Sequence, residues 1–311
     1  MSSPAVAILD IGSNSIKVLV ATRDAAGQLT TLHQRSLDAR ISAGISAATP
    51  RLSDEGIARG LAAIKELLAS VAVFSPVRTL LVATSAVRDA ANGAEFRALV
   101  QRETGHAIRI LTGEEEANGI GRGLTCDPAL GALRNFYVFD LGGGSLECLA
   151  FRERRVVQAA SLQLGCVRLT EKFVPDATAP FPTAAREAIA EHTRAVLAAS
   201  GFAFALPAAV GVGTGGTVTT IRAIYGARVG RKAEGMPALV TVAQLRELLD
   251  FLAPMPLEVR RTVPGLPPAR ADVFPAALTT LLAVAETARL TALHHSFYNL
   301  RYGLAAELLN E

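Results

Sequence analysis

Phe139-Asp140-Leu141-Gly142-Gly143-Gly144-Ser145 is the stretch on which the reading of this chain turns. Apolar residues Phe136, Tyr137 and Val138 lead into it, and Leu146, Cys148, Leu149 and Ala150 lead out. The pattern predicts two strands joined by a glycine turn, with a carboxylate closing the first strand. Successive glycines carry no Cβ, so backbone N–H groups in the turn can approach a bound anion closely. Asp140 would repel that anion, which suits it instead to holding a cation that bridges to the anion.

The motif occurs a second time. Asp10-Ile11-Gly12-Ser13-Asn14-Ser15-Ile16 follows the apolar run Ala5 to Leu9. Asp10 pairs with Asp140, Gly12 with Gly142, Ser15 with Ser145 and Ile16 with Leu146. A strand–turn–strand unit repeated about half a chain apart predicts two similar domains facing one cleft, with a phosphate gripped from both sides.

The bulk of the sequence agrees with a two-domain α/β protein. A length of 311 residues, half of them hydrophobic, supports two sizeable cores. With 19% charged residues and a net charge of +3, the chain is no polybasic nucleic-acid binder, although a basic groove for a polyanion stays open. Trp is absent and aromatics are few, which argues against a base-stacking platform. Cys126, Cys148 and Cys166 form no CxxC pair and are odd in number, as expected of free thiols in a reducing cytosol. No signal-peptide pattern opens the chain, and no run of about 18 uncharged apolar residues appears. A cytoplasmic protein without a membrane span is expected.

Read in order, residues 5–9, 16–22 and 28–35 predict a meander of three strands. Residues 54–70 predict a helix, 79–83 a strand, 93–103 a helix, 108–111 a strand, and a helix starts after Thr112. Residues 126–135 read as a linker, after which the pattern restarts. Strands run to 162, helices follow Leu164 and span 182–200, and a strand at 208–212 leads into a further glycine turn. Helices are expected at 241–253, 269–290 and 299–310, the last returning to close the first domain. The expected domains are 1–125 with 298–311, and 126–297.

Several residue groups can carry chemistry. Ser13, Asn14, Ser15 and Ser145 place short polar side chains beside the turn amides. Gly213, Thr214, Gly215, Gly216 and Thr217 lie between a strand and a helix, and form either a third anion pocket or a tight structural turn. They fit neither the P-loop nor the dinucleotide fingerprint. Glu114, Glu115 and Glu116 open a helix. Helix-dipole stabilisation accounts for two of them, and one facing a phosphate would take a proton from water. Arg88, in a loop of small residues after a strand, either forks onto phosphate or pairs with Asp89 or Glu95. Glu147 and Asp140 together offer an oxygen-rich Mg²⁺ site. The five histidines show no ligand spacing.

These blocks, together with Ala83-Thr84-Ser85-Ala86-Val87-Arg88, Leu164-Gly165-Cys166-Val167-Arg168 and Gly265-Leu266-Pro267-Pro268-Ala269-Arg270-Ala271-Asp272, resemble the exopolyphosphatase/guanosine pentaphosphate phosphatase family. That family belongs to the actin, Hsp70 and sugar-kinase fold group. The resemblance implies two ribonuclease H-like domains, with phosphate bound between the glycine turns. It implies Glu116 as catalytic base, Arg88 as the phosphate-gripping arginine, and Asp140 and Glu147 as metal-associated acids, with Asp10 as the counterpart of Asp140. Two positions depart from the family pattern: Asn118 stands where Arg is usual, and Leu146 stands where Thr is usual. The chain resembles the short, two-domain type. The implied activity is Mg²⁺-assisted removal of the terminal phosphate from inorganic polyphosphate or from pppGpp, with a homodimer allowed. An ATP-dependent kinase or ATPase, or a non-catalytic phosphate sensor, are the other readings of the same scaffold.

Overall fold

The computed structural model describes residues 4–311. The chain divides into two compact units. One runs to Gly131 and takes back Tyr298–Glu311; the other is Ala132–Phe297.

The first unit begins with β1 (Val6–Ile11), β2 (Ile16–Arg23) and β3 (Leu29–Leu37). Ile11 lies opposite Ile16, so β1 and β2 form an antiparallel hairpin around Gly12–Ser15. Helix α1 (Asp54–Val71) follows, capped by Ser53, whose Oγ accepts the Gly56 N–H at 3.1 Å. A cap of this kind contributes about 1 kcal/mol. Next come β4 (Arg78–Ala83), the single-turn α2 (Ser85–Arg88), α3 (Gly93–Thr104), β5 (Ile108–Ile110) and α4 (Gly113–Thr125). The sheet order is β3-β2-β1-β4-β5, with β4 and β5 parallel to β1. Leu9, Ile11, Val18 and Val20 of the sheet bury against Ile64 and Leu67 of α1 and Phe96 of α3. Each fully buried Leu or Ile contributes about 2 kcal/mol.

The second unit repeats this plan. β6 (Phe136–Leu141), β7 (Leu146–Arg152) and β8 (Arg155–Leu162) form the meander, with Leu141 opposite Leu146 around the second glycine turn. Then come α5 (Cys166–Phe173), α6 (Thr183–Ala199), β9 (Val210–Thr214), α7 (Gly215–Arg228), β10 (Leu239–Thr241), α8 (Val242–Leu252), α9 (Leu257–Arg260), α10 (Phe274–Thr287) and β11 (Ala292–His295). The order β10-β11-β9-β6-β7-β8 places β9 and β11 as β4 and β5 are placed in the first unit. Helix α10 is apolar on all sides and buried from Phe274 to Ala285, packed against α5, α6 and α8. A helix without a polar face belongs in a core. Last, α11 (Leu300–Leu308) packs onto α4, β1 and β2 of the first unit. Both units are ribonuclease H-like, and the molecule has the two-domain actin-like fold.

The structure amends several sequence expectations. Arg88 ends a helical turn rather than sitting in a loop. β9 runs on through Gly213 and Thr214, so the third glycine motif is mostly strand end and helix start. α10 begins only at Phe274, after a short 3₁₀ turn at Pro268–Arg270 that the prolines impose. β10 and β11 escaped the pattern reading. β10 has three residues, and β11 reads Ala-Leu-His-His, without β-branched residues.

Candidate active site

The two hairpin turns share one internal design. The Gly12 N–H donates to Ser15 O at 3.3 Å, and the Gly142 N–H donates to Ser145 O at 3.0 Å. The N–H of the first glycine of each turn, Gly12 and Gly142, therefore closes the turn. In the second unit the next carbonyls are tied back to α5. Gly142 O accepts from Cys166 N–H at 3.0 Å. Gly143 O accepts from Val167 N–H at 2.9 Å and Arg168 N–H at 3.2 Å. Gly144 O accepts from Arg168 Nε at 3.0 Å. In a planar trans peptide the N–H points opposite to the C=O. Tying three carbonyls to α5 therefore aims the amides of Gly143, Gly144 and Ser145 away from their α5 partners. Gly165 permits this docking, because a methyl there would collide with the backbone of Gly143 and Gly144. In the first unit a loop does the same work. Ser42 Oγ donates to Ser13 O at 3.1 Å, and Arg40 N–H donates to Asn14 O at 2.9 Å. The side chains of Ser13, Asn14, Ser15 and Ser145 are all buried in or beside these turns.

Ser13 also links its turn to the acid–base candidates of the same unit. Its Oγ lies 3.3 Å from Ser85 Oγ at the start of α2. One helical turn later, Arg88 Nη1 donates to Leu111 O and to Glu116 Oε2, each at 3.0 Å. Arg88 Nε also stands 3.5 Å from Asp89 Oδ1. The three glutamates of α4 separate by role. Glu114 is exposed. Glu115 completes a capping box with Thr112, accepting the Thr112 N–H at 2.8 Å while its own N–H donates to Thr112 Oγ1 at 3.1 Å. Glu116 is 6% exposed and faces Arg88.

In the second unit, strand register aligns a polar row across four strands: Thr214, Asp140, Glu147 and Ser161. Asp140 and Glu147 are direct cross-strand neighbours, and Ser161 Oγ donates to Glu147 Oε1 at 2.8 Å. Two carboxylates facing each other across a strand pair repel unless a cation lies between them. Their hard oxygen donors suit Mg²⁺, which takes one or two carboxylates and completes its shell with phosphate and water. Asp10 has a different setting, because its cross-strand neighbour is Lys17. The paired acids are thus a property of the second unit alone. Among the described residues, no group of three or more His, Cys, Asp or Glu side chains is arranged to hold a metal ion.

The third glycine motif serves this acid pair. Gly215 has φ +81° and runs so close to Asp140 that a side chain there would strike Oδ1. Gly216 lies under the Arg270 guanidinium, which sets a cation at the N-terminus of α7. Thr217 Oγ1 donates to Leu141 O at 3.0 Å, and Gly213 O accepts from Ser296 N–H at 3.0 Å. Thr217 and Gly213 thus join β9 and α7 to their neighbours. Thr214 is fully buried at the strand end. Beside Gly213 in register, His295 accepts from Arg222 Nη1 at 2.6 Å, and its Nε2 lies 3.1 Å from Thr219 Oγ1. Burial, reinforced by that guanidinium, pushes the His295 pKa down to about 3.

The sequence profile of the Ppx/GppA phosphatase family matches residues 19–311. The chain belongs to this family. The crystal structure of the Aquifex aeolicus PPX-GPPA enzyme is 27% identical, covers 100% of both chains and superposes with a TM-score of 0.77. An exopolyphosphatase from Cytophaga hutchinsonii has the same fold, with 20% identity, 98% of each chain covered and a TM-score of 0.87. An exopolyphosphatase-like protein at 23% identity matches 99% of this chain and 98% of its own, with a TM-score of 0.89. As a Ppx/GppA member the chain is a phosphatase. No helix among the described residues is long and apolar enough to cross a membrane.

Ser85, Gly165, Arg168, Ser161 and Arg270 were not singled out as site residues from the sequence. Each acts through a neighbour distant in the chain, so no local spacing marks it. The blocks around Ser85, Arg168 and Arg270 carried the family resemblance, and that was the one signal available.

Proposed function

We propose that this phosphatase is an exopolyphosphatase, removing the terminal phosphate of inorganic polyphosphate, with pppGpp as a second substrate of the same chemistry. The observation that carries the reading is the continuity of Gly12–Ser15, Ser85, Arg88 and Glu116 within one unit, linked by the 3.3 Å Ser13–Ser85 and 3.0 Å Arg88–Glu116 contacts. Amides and short side chains of the turn bind a phosphate, a guanidinium balances its charge, and a buried carboxylate stands at hydrogen-bond distance from that guanidinium. The family membership and the exopolyphosphatase neighbours support the substrate class.

In the proposed reaction a water oxygen attacks the terminal phosphorus while Glu116 accepts the water proton. The bridging P–O bond breaks, and the shortened polyphosphate leaves with the electron pair. Phosphoryl transfer needs positioning and charge neutralisation above all. Within the first unit Ser13, Asn14 and Ser15 orient the phosphate, and Arg88 holds Glu116 in place through Nη1; within the second unit the amides of Gly143, Gly144 and Ser145 are the anion donors. Within the second unit Asp140 and Glu147 would hold Mg²⁺, and the bound ion would neutralise phosphate charge; Asp10 is the corresponding acid of the first unit.

Glu116→Gln tests the assignment. A lost general base lowers kcat about 10²–10⁴-fold with KM little changed. Phosphate release would be measured from long polyphosphate, tripolyphosphate, pppGpp and ATP. Turnover near wild type in E116Q removes Glu116 from the chemistry, and ATP as the best substrate removes the exopolyphosphatase reading.

A further inference from the structure

Asn14 has an unusual set of partners. Its side chain is buried, and its Oδ1 accepts from Arg40 Nε at 3.2 Å. Its Nδ2 is buried without a hydrogen-bond partner. Leaving a buried donor unmatched is costly, and the usual remedy is to turn the amide until nitrogen meets an acceptor. Here Arg40 prevents the turn. A reversed amide would set Nδ2 against the Arg40 Nε–H, donor against donor. The backbone adds a second tie, since the Arg40 N–H donates to Asn14 O at 2.9 Å. Arg40 itself has φ +38°, a conformation that a non-glycine residue adopts under constraint. That constraint comes from Arg59, whose Nε donates to Ala39 O at 2.9 Å and whose Nη2 donates to Arg40 O at 3.0 Å.

We infer that Arg40 is a positioning residue for phosphate binding: it locks the Asn14 amide so that Nδ2 is presented as a donor to the substrate phosphate. The strain at Arg40 and the unmatched donor at Asn14 are two halves of one device. Arg59 holds Arg40, Arg40 holds the oxygen of Asn14, and the nitrogen stays turned toward an anion. The inference rests on the phosphate-binding reading of the Gly12–Ser15 turn.

A double-mutant cycle on the full-length protein, with tripolyphosphate as substrate, tests it. Asn14→Asp keeps the contact with Arg40 but replaces the donor by an acceptor that repels phosphate. It raises KM about tenfold or more with kcat little changed. Arg40→Gly tolerates the positive φ and so avoids a folding defect. It raises KM several-fold in the wild-type background and leaves it unaltered in the N14D background, because Arg40 acts through Asn14. An equal rise in both backgrounds overturns the inference and makes Arg40 a direct substrate contact. No rise in R40G alone also overturns it, while a raised KM in N14D keeps the turn as the phosphate site. No rise in N14D overturns that underlying reading itself.

Discussion

At the residue scale, the proposed anion donors depend on atoms that would never meet the anion. The amides of Gly143, Gly144 and Ser145 point away from α5 because their partner carbonyls are held by the first turn of α5 and by the side chain of Arg168. Gly165 is the point where this clamp has no tolerance. In Gly165→Ala the added methyl meets the backbone of Gly143 and Gly144, so the turn must move off α5. Overpacking of this kind costs about 1–3 kcal/mol of stability. On the proposed function the displaced amides would bind phosphate less well, so KM for polyphosphate should rise about tenfold, while kcat falls less. Steady-state kinetics beside a urea unfolding curve measures both. A lowered midpoint with wild-type KM would show that the turn binds nothing.

At the element scale, what sequence could reveal follows from how local each feature is. The Asp-x-Gly hairpins were legible because strand, turn and strand are contiguous, and because the same register appears twice. The capping role of Glu115 and the inward face of Glu116 follow from helical spacing after Thr112. The polar row Thr214–Asp140–Glu147–Ser161 was only half visible. Asp140 and Glu147 flank one turn, but Thr214 enters through a parallel pairing that no local pattern encodes. β11 was hidden because its four residues, Ala-Leu-His-His, include none that is β-branched, and its last residue sets an element-level prediction. His295 ends β11 against α7, with a pKa of about 3 in the folded chain and about 6.5 when unfolded. A histidine lowered in this way contributes stability that is fully present above pH 6.5 and is lost as pH falls toward 3. Over that window one extra proton binds the unfolded chain, a slope of up to about 1.4 kcal/mol per pH unit. His295→Gln keeps an acceptor for Arg222 and a donor for Thr219 but does not titrate. Urea unfolding at stepped pH would therefore show a shallower acid loss in H295Q, and an unchanged slope would mean that His295 is protonated in the fold.

At the scale of the whole molecule, the first unit is completed by the last segment of the chain. Helix α11 lies on α4, β1 and β2. Gly123 sits against Asn299 O and Gly303 against Gly119 O, so closely that a side chain at either position would strike backbone. Arg301 is buried, with Nη1 donating to Val18 O at 3.3 Å, and Tyr302 Oη lies 3.0 Å from Thr31 Oγ1. The inner face of α4, including Ile120 and Leu124, is thus covered by residues that follow the entire second unit. Glu116 rides on α4, so the proposed base depends on the final helix for its position. Deleting Tyr298–Glu311 uncovers apolar surface on α4 and the central strands while leaving the core of the second unit intact. Amide hydrogen exchange in α4 should then accelerate at least tenfold, with α6 and α10 as unchanged internal references. Phosphate release should fall in parallel, because a helix that opens cannot hold Glu116 against Arg88. Exchange in α4 that stays at the full-length rate would show that the first unit stands without its C-terminal helix, and would separate the placement of Glu116 from the return of the chain.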